Sequence, residues 1–373
     1  MRILVLSDAY PWVTGGAEVQ AAMLARWWAR AGHEVTVAGP KNAPCERDGV
    51  RYERIPVDAK RRWQRGGEYL LGVARFLRKC RPWDVLYCRF VKEQAAAAVL
   101  CRKLGLHAAP VVATPEGAGR TGDVHYLSRL PAARLWLRLV RRETDLLVAI
   151  SAEVERELLR AGFPPDRILR LGNAVEVPEG VDLGRTRRRP VHVVWAGRLV
   201  RYKRPELAVR AVSRARRKGA DLRLDLYGDG EARAKVEAEV ERLRVAQAVR
   251  VRGRVPREIL HQAFRAADLF LLTSDYEGMP GVVLEAMAHG LPVIATEVSG
   301  IPELVTKASG WVVPPGEADA LGEALVEAAT IPEERFRAMR RAAQERIFEG
   351  FTVDAVGSRL LEAFARLARA RRP

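Results

Sequence analysis

The chain writes one plan twice. "RILVLS" (Arg2 to Ser7) leads through a loop containing "TGGAE" to an apolar-periodic helix ending near Ala31. "VHVVWAG" (Val191 to Gly197) leads through "RLVRYKRPE" to a helix ending near Lys218. Each opens a long alternation of short β-rich runs with helical segments. Further strands are expected at Glu34–Ala38, Asp84–Tyr87, Pro110–Thr114, Leu146–Ile150 and Ile168–Leu171 in the first half. In the second half they fall at Arg223–Tyr227, Val249–Arg252, Leu269–Thr273, Pro292–Ala295 and Gly310–Val313. Strands joined by helices at this spacing form parallel sheets, because a parallel pair needs a long crossover and a helix is the usual one.

The expected fold is therefore α/β: two Rossmann-like, doubly wound parallel-sheet domains facing an interdomain cleft. At ~150 residues per domain, 373 residues accommodate two. The stretch "EVPEGVDLGRTRRRP", rich in Pro, Gly and Arg, reads as a linker over 176–190. That leaves an N-terminal domain over 1–175 and a C-terminal one over 191–352. A last helix within 353–373 is expected to pack back on the first. Open sheets of this kind take ligands beyond the carboxyl ends of their strands, so the loops after Ser7, Thr114, Ile150, Gly197, Tyr227, Arg252 and Thr273 are where chemistry is sought.

Composition removes several alternatives. The longest apolar runs, such as Leu291 to Thr296, are far short of the ~20 residues that cross a bilayer, and no signal peptide is read at the start. The four cysteines have no CxxC spacing, so neither a zinc site nor a disulfide framework is indicated and a cytoplasmic setting is expected. The net charge of +17 is carried mainly by scattered Arg. No basic run interleaves with aromatics, so the charge permits phosphate binding and nucleic acid is not the expected partner.

Two carboxylates stand out. In "TSDYEGMPGVVLEAMAHGLP", Glu277 and Glu285 lie eight positions apart (285 − 277) in an otherwise apolar stretch. Pro280 suits a helix start and Gly290 a helix stop, which predicts a helix over Pro280–His289. Its N–H groups and positive dipole end would point to the ligand edge, where Gly278 and Gly281 let an anion approach. An extended ligand fits, with phosphates at the helix tip and a polyol at each glutamate. The bland alternative is a capping Glu277 and a surface Glu285. "AGRLVRYKR" supplies the cations, Arg198 and Lys203, with Arg201 and Arg204 expected to point outward into solvent. In the first domain, Gly15 and Gly16 are either a plain helix start or a place where a phosphate or sugar meets backbone. They are not a GxGxxG fingerprint, which weakens a nicotinamide reading.

The Glu-x7-Glu spacing, opened by "EG" and closed by "PELV", resembles the retaining glycosyltransferases of family 4, which have the GT-B fold. The "GRLxxxK" loop, "YGDG" (Tyr227–Gly230), "DLLVAIS", Asn173 and "GGAE" fall in that family's order, so the resemblance spans essentially the whole chain. It implies a nucleotide-sugar donor held by the C-terminal domain and an acceptor held mainly by the N-terminal one. On that resemblance Glu285 binds ribose hydroxyls, Arg198 and Lys203 the diphosphate, and Glu277 the sugar. The backbone amides of Met279 to Gly281, Pro280 included, touch sugar and phosphate. Gly16 approaches the β-phosphate, Gly228 belongs to the donor side, and the base lies against Arg254 and Val255. No metal or other cofactor is implied, and no Asp-x-Asp pair is present. The inherited mechanism is front-face attack, with Arg198 and Lys203 stabilising the departing diphosphate.

The pattern departs in the N-terminal domain. Glu116 stands where many members carry a histidine; Asp123 is the candidate catalytic substitute, with Glu116, His125 and Asn173 as acceptor-side candidates. "NGVD" reads "NAVEV". The segment Lys60–Trp83 has a helical stripe of Leu70, Val73, Leu77 and Cys80. It reads first as a helix packed on the sheet, and second as a docking face for an anionic membrane that would suit a lipid-linked or cell-surface polysaccharide acceptor. The expected donor is a UDP-hexose, chosen over GDP because uridine donors are common. The rival readings are a sugar-nucleotide epimerase of the same fold and a non-catalytic nucleotide-sugar or RNA binder.

Overall fold

A computed structural model describes residues 1–9, 11–13, 15–57, 62–119, 122–129 and 133–371; Thr14 of the first loop and Lys60 and Arg61 of the basic segment lie outside them. The chain divides into two units, one of Met1–Ala174 with Val353–Pro373 and one of Val175–Thr352.

Unit 1 carries β1 (Arg2–Leu6), α1 (Gly16–Arg30), β2 (Glu34–Gly39), β3 (Cys45–Arg47), β4 (Val50–Arg54), α2 (Arg62–Lys79), β5 (Val85–Cys88), α3 (Glu93–Lys103) and β6 (Val111–Ala113). It continues with α4 (Asp123–Ser128), α5 (Ala133–Glu143), β7 (Leu146–Ala149), α6 (Ala152–Arg160) and β8 (Ile168–Arg170). The strands order as β3-β4-β2-β1-β5-β6-β7-β8, parallel except for β3. The sequence reading missed β3 and β4. Their signal is "RDGV": Asp48 (φ 54°) and Gly49 (φ 74°) both sit in the left-handed region that a two-residue type I′ hairpin turn requires.

Unit 2 carries β9 (Val191–Ala196), α7 (Pro205–Arg217), β10 (Leu222–Tyr227), α8 (Arg233–Arg242), β11 (Val249–Gly253), α9 (Arg257–Ala266) and β12 (Leu269–Leu272). Then come α10 (Gly281–Ala288), β13 (Val293–Thr296), α11 (Ile301–Leu304), β14 (Gly310–Val313), α12 (Ala318–Thr330) and α13 (Glu333–Phe348). The sheet is wholly parallel in the order β11-β10-β9-β12-β13-β14. Its central strands β9, β12 and β13 are mostly apolar and buried throughout, Trp195 of β9 included, as strands covered by helices on both faces must be.

Each sheet reverses direction once. The order turns between β1 and β5 in unit 1 and between β9 and β12 in unit 2. At such a switch point the chain turns to opposite faces of the sheet after neighbouring strands, and open α/β sheets take ligands there, at the carboxyl ends.

The last helix, α14 (Val353–Ala370), belongs to unit 1 and packs on α1. Trp28 Nε1 donates to the Gly357 carbonyl at 3.2 Å and Trp27 Nε1 to Asp354 at 2.7 Å. Trp28 also packs its ring against Tyr87 and Phe364, centroids 5.6 and 5.4 Å away. Residues 176–190, expected as a linker, lie with unit 2. Arginines fasten them there: Arg185 donates to Asp268 at 2.7 Å, and Arg187 to the Ala328 carbonyl at 2.6 Å. Arg340 donates to the Asp182 carbonyl at 2.9 Å.

Candidate active site

In unit 2 the loops that follow β9 and β12 meet at the switch point. After β9 the chain makes a single 3-10 turn, Arg201–Lys203, and Arg204 takes φ 47° as it enters α7. That turn carries Lys203 to Glu277 of the other loop, with Nζ 2.6 Å from Oε1. Both side chains are only about a tenth exposed, 12% and 11%. Ser274 Oγ donates to the same oxygen at 2.7 Å. Beneath the pair, Thr273 Oγ1 donates to the carbonyls of Lys203 and Arg204 at 2.8 and 3.0 Å and accepts from Trp195 Nε1 at 3.1 Å. The Asp275 N–H donates to the Tyr202 carbonyl at 2.7 Å. The two loops are thus one hydrogen-bonded body.

Arg198 is exposed, and its Nη2 donates to the Tyr202 hydroxyl at 2.8 Å. The Tyr202 ring stacks on Tyr276, centroids 4.6 Å apart and planes 14° from parallel. Neither tyrosine was singled out from sequence. Arg201 is exposed as expected, whereas Arg204 is not an outward neighbour: it pairs with Glu206 at 3.2 Å and Asp275 at 3.3 Å.

The glycines after β9 and β10 are there for close approach. A Cβ on Gly228 would lie 1.8 Å from the Gly197 carbonyl oxygen, so no side chain fits where the two loops touch. Gly278 and Gly281 are half-buried and Met279 and Pro280 buried. The helix expected over Pro280–His289 is α10, with Pro280 as N-cap and His289 as C-cap, and Gly290 takes φ 67° beyond it. Pro280 has no N–H, so of the backbone from Met279 to Gly281 only Met279 and Gly281 can donate.

Glu285 projects from α10 and pairs with Arg257, the first residue of α9, at 2.9 Å. Its side chain is 13% exposed; burial raises its pKa, Arg257 opposes the rise, and Glu176 adds to it. The bland surface reading of Glu285 does not hold. Behind it, His289 Nδ1 lies 2.8 Å from the Glu285 carbonyl and His261 Nδ1 lies 3.4 Å from His289 Nε2. Burial lowers both imidazoles, His261 to about 4. Arg254 is exposed and Val255 half-buried, both in the loop between β11 and α9.

The second cluster is in unit 1, at the ends of β5, β6 and β8. Its centre is Arg89, which sequence reading passed over. The guanidinium, 3% exposed, reaches Glu116 at 2.5 Å, the Tyr87 hydroxyl at 3.0 Å and Asn173 Oδ1 at 3.3 Å. Tyr87 in turn shares a hydrogen bond of 2.8 Å with Thr114. Burial pushes Glu116 up to about 7, against the pull of Arg89 and with the repulsion of Asp123 and Glu18. Asp123, 1% exposed, accepts from the Val91 N–H at 2.7 Å and pairs with Lys92 at 3.3 Å. Burial raises its pKa as well. Those contacts tie α4 to the loop after β5. His125 is half-buried in α4, outside this network of contacts. Gly16 starts α1 in the open: a Cβ there would meet nothing within 4 Å. Gln20 holds the backbone of Ala174, the residue after Asn173, donating to its carbonyl at 2.7 Å and accepting from its N–H at 2.9 Å. Among the described residues no group of three or more His, Cys, Asp or Glu could hold a metal ion.

Comparison with known proteins places this architecture. The chain matches the Glycosyl transferases group 1 family over residues 185–346 and the Glycosyl transferase 4-like domain over 15–174. It is 30% identical over 342 residues to a GDP-mannose-dependent alpha-mannosyltransferase of Mycobacterium tuberculosis, a match covering 85% of each chain. The chain belongs to the family 4 glycosyltransferases. Its GT-B fold is shared with Anabaena HepE, whose structure holds UDP and glucose: TM-score 0.78 at 17% identity, over 98% of this chain and 100% of that one. The amylovoran biosynthesis glycosyltransferase AmsK of Erwinia amylovora is 31% identical over 193 residues, 49% of this chain. The chain spans about half the length of several such curated relatives, 47% for AmsK. For a family 4 glycosyltransferase, the two clusters are the carboxyl-end rims of its two sheets.

Proposed function

We propose that this chain is a retaining hexosyltransferase that takes a sugar from a nucleoside-diphosphate donor without a metal. The observation that carries the reading is the Lys203–Glu277 pair at the unit 2 switch point, beside the start of α10 and with Glu285 along the same helix. The diphosphate lies at the helix start, where N–H groups and the positive dipole end favour an anion. Lys203 and Arg198 meet the charge that grows on the departing diphosphate, which is where fixed cations lower a barrier most. Glu277 takes sugar hydroxyls and Glu285 the ribose. Gly16 stands in the open with no steric need for glycine, which supports close approach of a ligand to its backbone.

A guanosine donor is favoured over the uridine one expected from sequence, because relatives that cover most of the chain are named as GDP-mannose-dependent. The second reading is UDP, supported by the UDP-bound fold neighbour. The proposed acceptor is a saccharide precursor of a polysaccharide or glycolipid. A membrane-facing surface fits it. Leu71 on α2 is 55% exposed and Leu135 on α5 is 66% exposed. Arg75, Arg78, Arg138 and Arg142 are exposed beside them, and both helices flank α3. No helix among the described residues is long and apolar enough to cross a membrane.

Thermal shift with UDP, GDP and ADP, with and without EDTA, tests the donor. A nucleotide at a hundred times its Kd should add ~2.7 kcal/mol to the stability of the protein. One nucleotide is expected to shift melting, EDTA to leave the shift intact, and Glu285→Ala to remove it. No shift with any of them would remove the transferase reading; where one nucleotide does shift melting, NMR of the product anomer tests retention.

A further inference from the structure

Glu285 is a mostly buried carboxylate on the ligand rim, and burial alone would leave it protonated at higher pH than an ordinary glutamate. A protonated carboxyl gives one oxygen to its own proton and accepts poorly from two neighbouring hydroxyls; an ionised one offers about four acceptor sites. Glu176 repels Glu285, and the imidazoles of His289 and His261, which burial keeps neutral, add no charge. Arg257 is the neighbour that favours the ionised form. Its Nη2 touches Oε1 at 2.9 Å, which leaves acceptor capacity on the carboxylate. Arg257 also opens α9, directly after the loop of Arg254 and Val255. It comes from a different strand-to-helix connection than Glu285, so the pair fixes the carboxylate from the side.

We propose that Arg257 is the positioning residue that makes Glu285 a receptor for a vicinal diol, so that the site selects ribonucleotides over 2′-deoxyribonucleotides. The inference rests on Glu285 holding the donor's ribose. It assigns Arg257 a part in specificity without contact to the reacting atoms. The competing idea is that Arg257 merely occupies Glu285 until a nucleotide displaces it, and the two predict opposite signs.

Calorimetric titration decides. UDP, GDP and their 2′-deoxy counterparts are titrated into the full chain as wild type, Glu285→Gln, Arg257→Met and Arg257→Lys, each checked for unchanged melting without ligand. The wild type is expected to prefer the ribonucleotide by ~10-fold or more, the scale of a hydrogen bond to a charged group. Arg257→Met should collapse that preference and weaken ribonucleotide binding, and Arg257→Lys should restore part of it. Should Arg257→Met bind the ribonucleotide as tightly as wild type, or more tightly, with the preference intact, Arg257 is an occupant and the proposal falls. If Glu285→Gln loses the preference while Arg257→Met keeps it, the ribose reading stands and only the inference fails. If neither variant alters it, the ribose reading fails first and takes the inference with it.

Discussion

The two units place a cation against a glutamate at the carboxyl ends of their strands, and they do so in different ways. In unit 2, Lys203 and Glu277 both come from loops, meet at 2.6 Å and keep 12% and 11% of their surface. In unit 1, Arg89 directly follows β5, is 3% exposed, and shares itself among Glu116, Tyr87 and Asn173. Lysine is a compact charge on a flexible stem; arginine is a rigid fork that holds several acceptors at once. In the first pair the lysine has a single carboxylate to release to an incoming anion. The second cannot do so without freeing three side chains. On the proposed function, the ion pair of unit 2 would serve chemistry, whereas the one in unit 1 holds architecture.

Substituting the cations tests this division most severely. Lys203→Met is expected to lower kcat with the accepted donor by ~10²–10³-fold, as loss of a group that stabilises leaving charge does, with melting lowered less than in Arg89→Met because fewer partners are left behind. Arg89→Met should do the reverse. Removing one partner of a buried pair costs ~3 kcal/mol or more, so unit 1 should unfold earlier at pH 8 while turnover per folded molecule falls much less. Urea titration followed by tryptophan fluorescence, with steady-state kinetics on the same samples, measures both. Equal losses of stability in the two variants would erase the distinction.

A finer test is protonation. Glu116 is pushed up to about 7, so between the ordinary carboxylate pKa and about 7 the folded state binds a proton that the unfolded chain releases. Its contribution to stability is thus fully present at low pH and is lost as pH rises through about 7. Glu116→Gln should flatten that slope, and the cost of Arg89→Met should shrink at pH 5.5, where Glu116 is already neutral. Carbon-13 NMR of labelled glutamates should show one carboxyl titrating near neutrality that Glu116→Gln removes. All carboxyls titrating below 5.5 would contradict it.

How much of this was legible beforehand follows from the range of each signal. The alternation of strands and helices is local, so every strand of unit 2 was read from the sequence to within a residue or two. The β3–β4 hairpin was lost because its exposed three-residue arm carries no apolar run, although Asp48–Gly49 advertised the turn. Glu277 and Glu285 could be found because they interrupt an apolar stretch at fixed spacing, and Lys203 because its basic loop follows a strand directly. Arg89 and Arg257 could not. Each is one arginine among many in a chain of charge +17, and what distinguishes them is a partner far along the chain, 27 residues away for Glu116 (116 − 89) and 28 for Glu285 (285 − 257).

The smallest expected effect concerns the part of unit 2 that resembles unit 1 most, a cation held by a tyrosine hydroxyl. Arg198 is exposed, and an exposed arginine loses considerable side-chain entropy when ordered. The Tyr202 hydroxyl, 2.8 Å from its guanidinium and braced by the stack on Tyr276, would meet part of that cost before a donor arrived at the proposed site. Tyr202→Phe keeps the ring and removes only the acceptor, so kcat/KM should fall by ~2- to 10-fold, the worth of one ordinary hydrogen bond. Tyr276→Ala, which removes the stacking partner, should fall in the same range. If Tyr202→Phe is silent while Arg198→Ala is severe, the diphosphate orders Arg198 by itself. Unit 2 would then hold no preassembled cation of the Arg89 kind, and the contrast between the two rims would be sharper.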